Sequence, residues 1–121
     1  MSDPATIAGQ YLEAWNETDA ERRRRLLAER WTEDARYVDP LMSGSGVTQV
    51  DGLIAAVQQR FPGFRFTVAG RPDGHGDHVR FSWTLGPDGG DAPIEGSDVV
   101  ELQHGRIARV IGFLDRVPAA A

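Results

Sequence analysis

From Phe64 onward the apolar residues of this chain fall at every second position, and no other feature limits its fold so tightly. Phe64, Phe66 and Val68 alternate with Arg65 and Thr67, and Val79, Phe81, Trp83 and Leu85 alternate with His78, Arg80, Ser82 and Thr84. Successive side chains of an extended strand point to opposite faces, so a period of two means strands with one buried side. Turn formers crowd residues 71–77, 86–93 and 104–105, which divides the run into four long strands, the last two over 94–102 and 107–114. Loops this short favour antiparallel pairing.

Upstream the period is that of a helix. Asp3 can cap and Pro4 can open a first helix, in which Ile7, Tyr11 and Trp15, with Ala8 and Leu12, make one inward face. Thr18-Asp-Ala-Glu21 has the capping-box spacing and predicts a second helix, with Leu26, Leu27 and Trp31 as its buried stripe and Arg22 to Arg25 facing water. Residues 35–39 read as a short strand ending at Pro40. The Gly- and Ser-rich stretch 41–47 lacks the spacing of either nucleotide fingerprint and reads as a mobile loop, placed to act as a lid. Thr48-Gln-Val-Asp51 repeats the capping-box spacing and opens a third helix, buried through Leu53, Ile54 and Val57 and stopped by Pro62-Gly63.

Three helices followed by four long strands is an α+β order rather than a βαβ alternation. The reading is one domain over residues 1–121: three N-terminal helices packed on one curved, mostly antiparallel sheet, forming a cone with an internal pocket.

Composition removes whole classes of chemistry. There is no cysteine, hence no thiolate catalysis and no disulfide, and the thirteen basic residues are all Arg, which excludes a Schiff base or a P-loop. A net charge of −5 argues against nucleic acid as a partner. No apolar run is long enough to cross a bilayer and no secretory signal is recognisable, so the expected location is the cytoplasm, without a membrane partner. His75 and His78 are three residues apart, but no further ligand type accompanies them, so no metal is expected.

One carboxylate stands in an unexpected setting. In Tyr37-Val-Asp39-Pro40-Leu41 an aspartate ends an apolar run, and an unpaired charge in such a place is costly unless it caps something or does chemistry. Asp98 shares a strand face with Gly96, Val100 and Leu102. Tyr11, Asp39 and Asp98 come from a helix, a strand end and a central strand, on sides that look toward one cavity.

The stretch from Tyr11 to Asp19, the Val38-Asp39-Pro40 step and the late Asp98 resemble the ketosteroid isomerases of the nuclear transport factor 2-like superfamily. The turn from Phe61 to Phe64 and the Gly105-Arg-Ile107 start of the last strand resemble the SnoaL-like polyketide cyclases of the same superfamily. The isomerase resemblance implies Asp39 as the base that moves a proton beside a carbonyl, with Tyr11 and a protonated Asp98 as donors to the enolate oxygen. The cyclase resemblance implies an aspartate in the Asp98 region as the acid/base of an intramolecular aldol closure. Where limonene-epoxide hydrolases of the superfamily carry Arg-x-Asp on a strand, this chain has Arg80-Phe-Ser82.

Either chemistry needs donors aimed at an oxyanion in a dry pocket and a carboxylate near the carbon acid, and no cofactor. Trp15, Trp31, Tyr37 and Phe61 are the expected wall of the substrate site on the helix side, and Trp83, Arg80, Val100 and Phe113 on the sheet side. If Arg80 points inward it holds Asp98 ionised, a question strand parity alone leaves open. The expected partners are a small apolar substrate or ligand and a second copy of the chain, paired through an outer sheet face. The rival reading is a binding protein for an apolar ligand without catalysis. An open cavity with both aspartates pointing in favours the enzyme; a cavity filled by side chains favours the binder.

Overall fold

The computed structural model describes residues 3–118, so the ends of the expected domain, 1–2 and 119–121, lie outside the described residues. In chain order the elements are α1 (Pro4–Asn16), α2 (Ala20–Arg30), β1 (Trp31–Val38), β2 (Ser43–Ser45), α3 (Val47–Arg60), β3 (Phe64–His75), β4 (His78–Pro87), β5 (Ile94–Gln103) and β6 (Arg106–Arg116). The strands form one curved, unclosed sheet in the order β2-β1-β6-β5-β4-β3. This is the α+β cone the sequence pattern implies.

The four long strands make the expected antiparallel meander, with Val68 opposite Trp83, Phe81 opposite Asp98, and Asp98 opposite Gly112. β1 instead runs parallel to β6, with Tyr37 opposite Val110, and β2 pairs antiparallel with β1. A parallel pair needs a long crossover, and here everything from β2 to β5 serves as one.

Local chemistry explains most element ends. The Asp3 carboxylate accepts from the Thr6 N–H at 3.1 Å and starts α1 at Pro4. The α2 cap is Asp19, one residue past the predicted Thr18, and it accepts from the Arg22 N–H at 2.8 Å. α3 begins after Gly46, whose φ of 82° suits a glycine, and it has no side-chain cap. Asp51, the predicted end of a capping box, lies across from α2 and binds Arg23 instead.

Three readings need correction. Trp31 is the first residue of β1 rather than the last of the α2 stripe, because its four-residue spacing from Leu27 serves burial from either element. Residues 43–45, read as loop, are paired with β1 despite their composition, so tertiary pairing overrides propensity there. Arg23 is not solvated like its neighbours. It is 3% exposed and donates to Asp51 at 2.6 Å, to the Gln58 side-chain oxygen at 3.1 Å and to the Glu17 carbonyl at 3.0 Å, tying α2 to α3 and to the end of α1.

α1 lies across β3 and β4, and the space between helices and sheet is occupied by aromatic rings. Tyr11 stacks on Trp31 at 5.8 Å and meets Phe81 edge-on at 5.3 Å, Trp15 contacts Tyr37 and Phe66 at 5.5 Å each, and Phe66 meets Trp83 at 5.1 Å. These rings stand where the sequence reading puts an internal pocket. Beside them, between α1, α3 and the start of β3, is a hollow of about 50 Å³ bordered by Trp15, Phe61, Phe64, Phe66 and Leu85.

Candidate active site

β5 turns Gly96, Asp98, Val100 and Leu102 inward, and the alternation places Asp98 in the core at 2% exposure. Its Oδ1 has no hydrogen-bond partner. Burial pushes the Asp98 carboxyl up to about 6. The Tyr11 hydroxyl and the Trp83 indole N–H beside it oppose that rise, while the charges of Asp39 and Asp115 add to it. Arg80 takes no part. It is outward on β4 opposite Val99, and its guanidinium binds Asp73 at 3.1 Å on the exposed side.

Two glycines make room for this arrangement. The Trp83 ring lies directly over Gly96, its cross-strand partner, where any side chain would collide with it. At Gly112 a Cβ would stand 2.8 Å from Asp98 Oδ1, 3.2 Å from Asp39 Cβ and 3.5 Å from the Tyr37 hydroxyl oxygen. One backbone position on β6 is therefore the meeting point of both aspartates and Tyr37.

Asp39 follows β1 and is half-buried. Its Oδ2 accepts from the Tyr37 hydroxyl at 2.7 Å, and its Oδ1 accepts from the backbone N–H of Leu41 at 2.8 Å and of Met42 at 2.9 Å. Both oxygens are thus engaged, in the pattern of an Asx turn that folds the chain back toward β2. Burial, followed by the Asp98 charge and then by the bond to Asp39, holds the Tyr37 hydroxyl protonated far above the ordinary tyrosine value. It is a permanent donor to Asp39.

Tyr11, 1% exposed on α1, likewise has its pKa raised well above the ordinary value, first by burial and then by the Asp98 and Tyr37 side chains. It remains a neutral hydroxyl beside Asp98. The Trp15 indole N–H lies next to that hydroxyl, yet Nε1 has no hydrogen-bond partner.

The structure thus brings Tyr11, Asp39 and Asp98 into one neighbourhood and surrounds them with buried Trp15, Trp31, Tyr37, Trp83 and Val100. Phe61 is half-buried at the rim of the hollow, stacked on Phe64 at 5.3 Å. Two predicted wall residues are elsewhere. Arg80 and Phe113 both point outward, Phe113 opposite Ser97 and 52% exposed, because the strand alternation that turns Phe81 and Gly112 inward turns their neighbours out. Gly112 was not singled out, although a glycine inside a strand pattern is itself a signal of close approach. Among the described residues no group of three or more His, Cys, Asp or Glu side chains is arranged to hold a metal ion, and no helix is long and apolar enough to cross a membrane.

The pattern of the SnoaL-like domain matches residues 8–110. No curated protein matches the chain. Among solved structures, an Agrobacterium tumefaciens protein provisionally named an isomerase of the SnoaL-like family is 53% identical, with a TM-score of 0.91 over 95% of this chain and 99% of its own. A Kribbella flavida protein provisionally named a ketosteroid isomerase is 23% identical, with a TM-score of 0.71 over 98% of this chain and 82% of its own. A Jannaschia protein provisionally named a SnoaL-like polyketide cyclase is 17% identical, with a TM-score of 0.73 over 100% of this chain and 99% of its own. The last two show likeness of fold alone.

Proposed function

The chain belongs to the family of SnoaL-like domains, and on that premise we propose that it is an enzyme that moves a proton beside the carbonyl of a small, largely apolar substrate, with Asp98 as general acid/base. One observation carries the reading: a buried carboxylate whose Oδ1 is unpartnered and whose pKa is raised to about 6. A proton-transfer group works best with a pKa near the working pH and an oxygen free to take the proton. Asp39 has neither oxygen free, which favours the cyclase-like assignment of roles over the isomerase-like one. Tyr11 and Trp83 hold the Asp98 carboxylate, and Tyr37 holds Asp39.

In this reading the Asp98 carboxylate takes the proton from the carbon next to the carbonyl. It returns that proton to another carbon in an isomerisation, or to the new alkoxide in an aldol closure. The aromatic surround excludes water and suits an apolar substrate. A second copy would pair through the outer face of the sheet, where Val38 and Phe113 are exposed beside half-buried Val99 and Ile111.

The test is isomerisation of a 3-oxo-Δ5-steroid and cyclisation of a polyketide ester by the native protein, Asp98→Asn and Asp39→Asn. Asp98→Asn should lose roughly 10²- to 10⁴-fold in kcat, and Asp39→Asn much less. Equal rates for native protein and Asp98→Asn sink the assignment. The second reading, a non-catalytic binder of an apolar ligand, is favoured by the rings that fill the interior. Saturable binding of either compound without turnover would decide for it.

A further inference from the structure

The buried side-chain donors around Asp98 differ in what they serve. The Tyr37 hydroxyl donates to Asp39 Oδ2 at 2.7 Å. The Tyr11 hydroxyl and the Trp83 N–H are turned to Asp98. Trp15 alone of these four has no acceptor for its N–H, although it is 4% exposed and packed against Tyr11 and Tyr37. Orphaned buried N–H groups are rare in folded proteins, and each calls for a partner that arrives later or a cost that is offset elsewhere. Among the described residues the remaining buried side-chain atom without a partner, besides Asp98 Oδ1, is the Thr32 hydroxyl, at the opposite end of β1 from Asp39.

An orphan donor and an orphan acceptor among the same packed rings match a particular arrangement of atoms. A carbonyl compound with an acidic C–H beside the carbonyl offers an oxygen that accepts and, on the carbon two bonds from it, a hydrogen that a carboxylate removes. We infer that the Trp15 indole N–H is a catalytic hydrogen-bond donor to the carbonyl oxygen of the substrate whose C–H faces Asp98 Oδ1. This rests on the proton-transfer reading above. As the C–H bond breaks, the proton forms an O–H bond on Asp98, the C–H electron pair becomes the new C=C bond, and the carbonyl π pair moves onto oxygen. The negative oxygen is met by the Trp15 N–H, which lies beside the Tyr11 hydroxyl but has no acceptor in hydrogen-bond geometry. Trp15 also borders the hollow shared with Phe61, Phe64 and Phe66.

The test uses 4-nitrophenol, whose phenolate oxygen stands in for an enolate, and nitrobenzene, which lacks that oxygen, titrated into native protein and Trp15→Phe. The variant keeps a ring and loses the N–H. It should bind the phenolate roughly 10- to 100-fold more weakly and nitrobenzene about as well as the native protein does. Equal weakening of both probes shows that Trp15 only packs, and unchanged phenolate binding, or none by the native protein, also overturns the inference. If Trp15→Phe does not fold, the indole N–H resonances of the ¹⁵N-labelled native protein give the answer. The Trp15 signal should move downfield on adding nitrophenol while that of Trp31 stays, and a stationary Trp15 signal overturns the inference. Because these are binding measurements, a Trp15-dependent phenolate site in a protein that turns over neither the steroid nor the polyketide ester would overturn the proton-transfer reading and the catalytic role while leaving Trp15 as a donor that binds.

Discussion

The Asp98 carboxylate lies over its cross-strand partner Gly112 so closely that a methyl group at 112 would come within 2.8 Å of Oδ1. The same methyl would press on Asp39 Cβ at 3.2 Å. The approach of the two aspartates therefore depends on a position that carries only hydrogen. Gly112→Ala should destabilise the fold by about 1–3 kcal/mol through overpacking. It should also lower turnover roughly 10- to 100-fold by displacing the carboxylate. Urea unfolding and steady-state kinetics check both, and a variant with native values in each contradicts the close approach.

The pH dependence of stability has a definite sign. The folded-state pKa of Asp98 is raised to about 6, mainly by burial, so the native protein takes up a proton that the unfolded chain, near 4, does not yet bind. Between those values the native state holds more protons. The Asp98 contribution to stability is greatest below about pH 4 and is lost as pH rises through 6, by about 3 kcal/mol in all. Asp98→Asn, neutral and of the same shape, should be the more stable protein at pH 8 and should flatten this part of the curve. Thermal unfolding of both proteins from pH 4 to 8 measures it, and parallel curves would refute a buried, titrating Asp98.

Arg23 and Arg25 are neighbours in sequence but not in consequence. Arg23 is buried against Asp51 and Gln58, whereas Arg25 is exposed. Arg23→Ala leaves Asp51 short of its main partner and should cost about 3 kcal/mol, while Arg25→Ala should change stability by less than about 0.5 kcal/mol. Denaturant midpoints of the two variants give the comparison, and similar values would mean that the α2–α3 tie contributes nothing.

If the outer sheet face pairs two copies, a charge at its centre should separate them. Phe113→Arg places a cation beside Val38, Ile111 and Val99 without entering the core. Light scattering on a size-exclusion column should show a dimer for the native protein and a monomer for the variant. A native monomer would leave this face for some other purpose.

Much of the fold was legible because two periodicities are clean in the chain. Ile7, Tyr11 and Trp15 fixed the inward face of α1, and the alternation through Trp83 and Asp98 fixed the inward faces of β4 and β5. Parity predicts which residues share a face but not which face looks inward, and the side of Arg80 is set by its pairing with Asp73. Arg23 was hidden because four successive arginines look alike, and only the packing of α3 picks one of them. The site was legible as residue types and not as roles. Asp39 was recognisable as a carboxylate that caps or reacts, and the N–H groups of Leu41 and Met42 that make it a turn former belong to backbone geometry, which residue types do not report.

The parallel pairing of β1 with β6 has a consequence for how the site comes into being. Tyr37 lies on the first strand made and Asp39 just after it, Asp98 on a late strand and Gly112 on the last, so the constellation joins residues far apart in sequence. Contacts of that kind are slow to form, since a long loop must close before they contribute anything. On the ribosome the helices and the central hairpin can form first, and the two aspartates meet only when β6 zips between β1 and β5. A chain halted before β6 can be largely structured while its two aspartates have yet to meet.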